Sequence, residues 1–247
     1  MKTGILFTFF FITAASMQYT VSAMTAEEII AQMEKNKNYT TATYTGLMEI
    51  HVGKEVRTKQ MKVSGVSDEK ALVEFTNSQD LGVKYLKIKK DLWIYFPSEQ
   101  DMVKISGHLL KEGMMGSDVS YEDALEADAM RSKYNANIAG EEKYNNKDCW
   151  LLVLEAKVKD APYYRRKMWV DKELFVAHKE EMYAKSGKLL KESNILEINK
   201  IGSRNFPSKV EVINKLRKDS KTVFSLSNIA FDVKLSDNIF SLQYLQR

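Results

Sequence analysis

The chain has 247 residues, 28% of them charged and 44% hydrophobic, which suits one large domain or two small ones. Its formal charge of +4 is too weak to argue for nucleic acid or an anionic surface as partner. Cys149 is the only cysteine, which excludes an intramolecular disulfide, and its setting in Asp148–Leu154 reads as buried core.

Lys2, the apolar run Ile5–Ala15 and the small residues Val21-Ser22-Ala23 have the form of a secretory signal peptide. The run is too short to span a bilayer core of about 30 Å. Cleavage after Ala23 is expected, leaving 24–247 as an exported, soluble single domain with charge +3.

Thr25–Lys35 predicts a helix, with Thr25 and Glu28 as a capping box and Ile29, Ile30 and Met33 as its apolar side. From Tyr39 the period changes to two: Tyr44, Gly46, Met48, Ile50 and Val52 alternate with Thr43, Thr45, Glu49 and His51. Val56–Ser64 pairs with this strand across Gly53-Lys54. Leu72–Thr76, Val83–Lys89, Leu92–Phe96 and Met102–Ile105 follow as short strands. After an interruption come Tyr134–Tyr144, Cys149–Val158, Tyr163–Asp171, Phe175–Ala184, Leu189–Ile198, Phe206–Leu216 and Lys221–Val233. Strands at this spacing, without long helices between them, predict one meandering antiparallel sheet, barrel or half-barrel.

The interruption is Leu109–Leu125, with Gly113, Gly116 and the adjacent Met114 and Met115. Ser120 can cap a helix with Asp123, over roughly 121–130, and Asp118 adds negative charge near its start. The segment reads as a mobile flap, or else as a crossover loop whose methionines fill a core gap. Glu122, Asp123, Glu126 and Asp128 read as the solvated face of its helix. They do not form a calcium loop, because Asp123 stands where the central glycine belongs and Ala129 where a bidentate glutamate belongs. Leu92–Phe96 and Cys149–Leu154 are apolar on both faces, so something must cover the second face of each: the first helix, the flap helix or an apolar guest.

Catalytic patterns are missing. His51, His108 and His178 lie on separate elements with no second metal ligand at suitable spacing, and each reads as a surface residue. There is no nucleophile elbow, phosphate loop or Cys-His pair. No enzyme activity, metal or cofactor is expected.

Arg165–Lys172, Phe175–Tyr183, Ser186–Lys191, Ile201–Pro207 and Phe231–Phe240, with Asp91–Pro97 and Gly116–Asp123 in the first half, resemble the LolA-like outer-membrane lipoprotein-sorting family. The resemblance spans nearly all of 24–247. It implies a mainly β fold, a half-open, strongly curved antiparallel β-barrel with an N-terminal helix and a short helical lid over an apolar concavity. It also implies a periplasmic carrier that takes an acylated lipoprotein or free lipid from an inner-membrane exporter to an outer-membrane acceptor. A sensor or adaptor on the same fold, binding a lipid signal or a membrane protein partner, is the alternative. One departure stands out: family carriers latch the lid with an arginine in the strand before the Leu-Trp segment, and Ala71–Thr76 has none.

A carrier needs an apolar concave face and a flexible cover rather than reactive groups. Each CH₂ moved from membrane to water costs about 0.8 kcal/mol, so a chain of about 16 carbons costs on the order of 12 kcal/mol. Trp93, Tyr95, Trp150, Trp169 and Phe175, with Met48, Ile50 and Leu152, are the expected concave lining. Met114 and Met115 are the expected lid contacts, since unbranched side chains repack around variable guests.

Overall fold

The computed structural model describes residues 24–125 and 130–247. The expected leader over 1–23 lies outside them, as do Glu126 and Asp128 of the acidic run. Helix α1 (Ala26–Lys37) begins with the capping box: Thr25 N donates to Glu28 Oε2 at 2.8 Å, and Glu28 N to Thr25 Oγ1 at 3.2 Å. No helix among the described residues is long and apolar enough to cross a membrane.

The strands form one antiparallel sheet, built in two meanders. The first comprises β1 (Thr41–Val52), β2 (Glu55–Val66), β3 (Lys70–Phe75), β4 (Lys84–Ile88), β5 (Asp91–Phe96) and β6 (Asp101–Ile105). The second comprises β7 (Tyr134–Tyr144), β8 (Lys147–Ala156), β9 (Arg165–Asp171), β10 (Ala177–Tyr183), β11 (Leu189–Ile201), β12 (Arg204–Asn214) and β13 (Ser220–Phe231). Tight turns follow the local chemistry. Asn145 and Asn146 both have positive φ in the two-residue β7–β8 turn, a conformation asparagine tolerates and right-twisted hairpins prefer.

Strand order is β6-β5-β4-β3-β2-β1-β13-β12-β11-β10-β9-β8-β7. The chain therefore starts mid-sheet at β1 and meanders out to one edge. It then crosses to the opposite edge and meanders back until β13 pairs with β1. The crossing occupies positions 106–133, and the edges it joins are both open. It contains short 3₁₀ turns at Gly107–Lys111 and Met114–Gly116, then α2 (Tyr121–Leu125) and α3 (Met130–Lys133).

Register defines the two faces. Met48, Phe224, Val210 and Ile195 are successive cross-strand partners on the concave side. Over the first meander the crossing segment covers this side: Leu109, Leu110, Met114, Met115, Tyr121 and Leu125 pack on a core of Met48, Ile50, Met61, Phe75, Tyr85 and Ile94. Over the second, α1 packs Ile29 and Ile30 on Leu152, Leu154, Met168 and Val170. Asn36 fixes its end, donating to the carbonyls of Leu174 (2.9 Å) and Phe175 (3.1 Å) and accepting from Asn205 N (2.8 Å).

The doubly apolar strand β5 is covered differently from expectation. Leu92 and Ile94 face the concave core, whereas Trp93 and Tyr95 face outward beneath the C-terminal segment. Leu235, Ile239, Phe240, Tyr244 and Leu245, the last two in α4 (Leu242–Leu245), close a second core there over Leu72 and Leu86. Lys84 Nζ reaches the Arg247 carbonyl at 2.6 Å, and Lys70 pairs with Asp237 at 2.6 Å. His178 also departs from its expected surface position: Nε2 lies 2.9 Å from Asp171 Oδ2, with both side chains largely buried.

Phe240 is 5% exposed in this outer core. Phe240→Ala is expected to cost about 3–5 kcal/mol, read as a lowered urea midpoint. An unchanged midpoint would show that the C-terminal segment contributes nothing to the fold.

Candidate functional site

The crossing segment folds on itself before it meets the sheet. Met114 N donates to the Val119 carbonyl at 2.8 Å, and Tyr121 N to the Glu112 carbonyl at 3.1 Å. Glycine is required at 113, because a Cβ there would stand 2.2 Å from the Ser117 carbonyl oxygen. Met115 and Gly116 both adopt positive φ, which turns the methionine pair toward the sheet.

Two carboxylates hold the flap down. Asp118 has a side chain with 0% exposure. It accepts from Ser220 Oγ at 2.6 Å and Thr222 Oγ1 at 2.8 Å, while its own N–H donates to Thr222 Oγ1 at 2.9 Å. Arg217 stands 3.5 Å away and donates to the carbonyls of Gly116 and Ser117, each at 3.1 Å. A carboxylate removed from water is tolerated only with such a donor set, and stripping it away costs about 3–5 kcal/mol. Far from merely adding charge at a helix start, Asp118 ties the flap to β13.

Asp123 is the second tie, and not the solvated residue expected. It accepts from Ser120 N (2.9 Å), Ser120 Oγ (2.7 Å) and Tyr163 OH (2.5 Å), and forms an ion pair with Lys191 of β11. Burial works against its charge. The Lys191 ammonium, with hydrogen bonds from Lys191, Tyr163 and Ser120, outweighs burial and holds the carboxyl below its usual range. Lys191 and Arg217 thus supply the cationic partners of the two flap carboxylates.

Beneath the flap the sheet is not packed solid. A cavity of about 400 Å³ lies between it and Tyr44, Val63, Val73, Tyr85, Val212 and Phe224, with Met114 and Leu125 as its roof. Lys87 is the one charged side chain among its described lining residues. A second cavity of about 360 Å³ lies under α1, lined by Met33, Met168, Phe175, Ile195 and Phe206, with the Arg166–Glu180 ion pair at its wall. Val210 borders both, so the two hollows adjoin across β12.

The residues expected to line the site are divided among these places. Met114 lines the flap cavity, and Met115, Met48 and Ile50 pack in the core around it. Phe175 lines the second cavity, while Trp150 and Leu152 pack beside it under α1, with Trp150 and Phe175 rings 5.6 Å apart. Trp93, Tyr95 and Trp169 lie on the outer face, away from both hollows. Trp169 donates to Glu142 Oε2 at 2.9 Å and carries Lys179 over its ring. Tyr44 was named only as an alternating strand position, and Val63, Val73, Tyr85, Val212 and Phe224 were not singled out in the sequence. The signal for them was the strand alternation itself, extended across register partners.

A curved, open antiparallel sheet with an N-terminal helix and a lid on its concave side is the LolA-like fold. A family model described as an uncharacterized protein matches residues 67–247, and the chain belongs to that family. A DUF1329 family protein from Desulfovibrio piger superposes with a TM-score of 0.83 at 26% identity, over 89% of this chain and 97% of its own. A domain from Vibrio parahaemolyticus, described as an outer membrane lipoprotein-sorting protein, gives 0.77 at 23%, over 89% and 97%. A LolA superfamily protein from Nitrosomonas europaea gives 0.75 at 21%, over 90% and 100%. No curated protein matches the sequence.

Because the Asp123 carboxyl is held below its usual range, its contribution to flap closure is complete above the unfolded value of about 4. It is lost as pH falls through the lower folded value. Asp123→Asn is therefore expected to speed amide exchange over 109–125 at neutral pH, with the difference from wild type shrinking in acid. Equal exchange at neutral pH would contradict the tie.

Proposed function

We propose that this protein is an exported, non-enzymatic carrier that shelters the acyl part of a lipid or lipoprotein under its flap and moves it between the membranes of the envelope. The observation that carries the reading is the unfilled apolar space between flap and sheet. A flap held by a few polar ties, over a hollow lined by aliphatic and aromatic side chains, is suited to opening and closing around a guest.

The energetics are compatible with transfer. At about 30 Å³ per CH₂, close to water's share of liquid volume, 400 Å³ holds about a dozen methylenes. Burying them recovers about 10 kcal/mol of what leaving a membrane costs. A guest is thus sheltered without a large surplus of affinity and can be handed on. The fold neighbour described as an outer membrane lipoprotein-sorting protein supports the same reading. In this account residues 1–23 direct export to the periplasm, an inner-membrane exporter loads the carrier and an outer-membrane acceptor unloads it.

Native mass spectrometry of gently purified protein is expected to show an acyl-chain adduct, or to show one after exposure to lipid. Protein that neither carries nor takes up any acyl ligand would refute the carrier reading. Met114→Asp, which places a charge in the cavity roof, is expected to reduce uptake at least about tenfold, on the order of the cost of an unpaired polar group. Its unfolding midpoint should change little. Unaltered uptake would mean that the guest lies elsewhere.

A further inference from the structure

Antiparallel pairing sends alternate hairpin turns to opposite ends of the sheet, and the two ends differ in charge. At one end the turns β1–β2 (53–54), β12–β13 (215–219), β10–β11 (184–188) and β8–β9 (157–164) stand side by side. Backbone hydrogen bonds join them into one rim. Gly53 N donates to the Asp219 carbonyl at 2.8 Å, Lys215 N to that of Leu190 at 2.8 Å, and Tyr164 N to that of Tyr183 at 2.9 Å.

This rim is basic. Lys54, Lys159, Lys185, Lys188 and Lys218 are exposed on it, without an acidic partner among the described residues. Lys157, Lys215 and Arg217 join them, already engaged with the Arg131 carbonyl (3.0 Å), Glu192 (3.2 Å) and the flap. Against them stand Glu55, Asp160 and Asp219. The turns at the opposite end mix their signs, with Asp68 and Glu69, Lys89 and Lys90, and Lys172 and Glu173. The formal charge of +4 hides this separation, because it sums over both ends.

Apolar side chains stand among the lysines. Leu216 in its turn is 56% exposed, and Val56, next to the β1–β2 turn, is 53% exposed. Val158 and Tyr164 are exposed in the β8–β9 turn. Lysine is depleted from protein–protein interfaces. Lysines interspersed with leucine, valine and tyrosine match a bilayer surface instead. There the ammonium groups meet lipid phosphates, and the apolar side chains enter the boundary between headgroups and acyl chains.

We propose that this rim docks on the face of a membrane that contains anionic phospholipid. Docking brings the held edge of the flap to the headgroups. Asp118 is bound to Ser220 and Thr222 just behind the β12–β13 turn, and Leu190, Leu216 and Arg217 line the cleft beside it. The proposal stands apart from the carrier reading, since the rim residues line neither hollow and their docking does not depend on what the hollows hold.

Co-sedimentation at low salt tests it, with vesicles of equimolar phosphatidylglycerol and phosphatidylcholine and with vesicles of phosphatidylcholine alone. Wild type is expected to bind the anionic vesicles in preference to the neutral ones, and to be released as salt is raised. A lysine near an anionic surface contributes about 1 kcal/mol, so Lys185→Gln with Lys188→Gln should weaken binding about 30-fold. Lys89→Gln with Lys90→Gln removes the same charge from the opposite end and should stay within about threefold of wild type. Leu216→Ser keeps the charge and should lose about fivefold through reduced apolar burial. Equal losses for the two lysine pairs would mean that charge attracts without orienting, and would overturn the docking rim. Wild type that binds neither vesicle would overturn it as well and give the rim to an acidic protein partner. Either failure leaves the acyl-adduct test of the carrier reading untouched.

Discussion

A carboxylate with no exposed surface sets the position of everything above the sheet. The strand order obliges the chain to cross from one edge strand to the other, and the described stretch 106–125 of that crossing packs on the concave face. Topology alone does not say how high that crossing rides. Asp118 does: with no exposed surface, its carboxylate needs the donors Ser220, Thr222 and Arg217 around it, and those stand at the start of β13 and in the turn before it. The flap is therefore pinned to one end of the hollow, and the apolar floor below it is covered without being filled.

The floor is built of two unequal halves. Under α1 a hollow also remains, but its cover is fixed, with Ile29 and Ile30 seated on Leu152 and Val170 and the helix end locked by Asn36. Under the flap the cover is thinner. Its 3₁₀ turns and five-residue helix present methionines and leucines, side chains that repack at small cost. A guest of variable length is better served by the second arrangement, and the proposed carrier role places the exchange there, with α1 as the fixed wall.

The strands were legible because alternation is a local property. Positions such as Met48, Ile50 and Met61, Val63 announce a period of two within a few residues, and Gly53, Asn145-Asn146 and Gly202 mark the reversals. Which face a strand turns inward is not local. Trp93 and Tyr95 are as apolar as Leu92 and Ile94. Only the return of Phe240 and Leu245 to the outer side decides that the aromatic pair lies outside. The outward position of Trp169 was hidden for the same reason, since its partners Glu142 and Lys179 belong to other strands, β7 and β10. The flap ties were invisible because Asp118 and Thr222 are 104 positions apart, and nothing around either residue advertises the other.

The central claim is that the hollow is filled and emptied when the flap, its carboxylate ties included, lifts from the sheet. Asp118 and Thr222, already in hydrogen-bond contact, are the positions at which to lock it. With Asp118→Cys and Thr222→Cys joined by oxidation, uptake and release of a fluorescent fatty acid should both stop, and reduction of the cross-link should restore them. A locked protein that loads as fast as the reduced one would contradict the account.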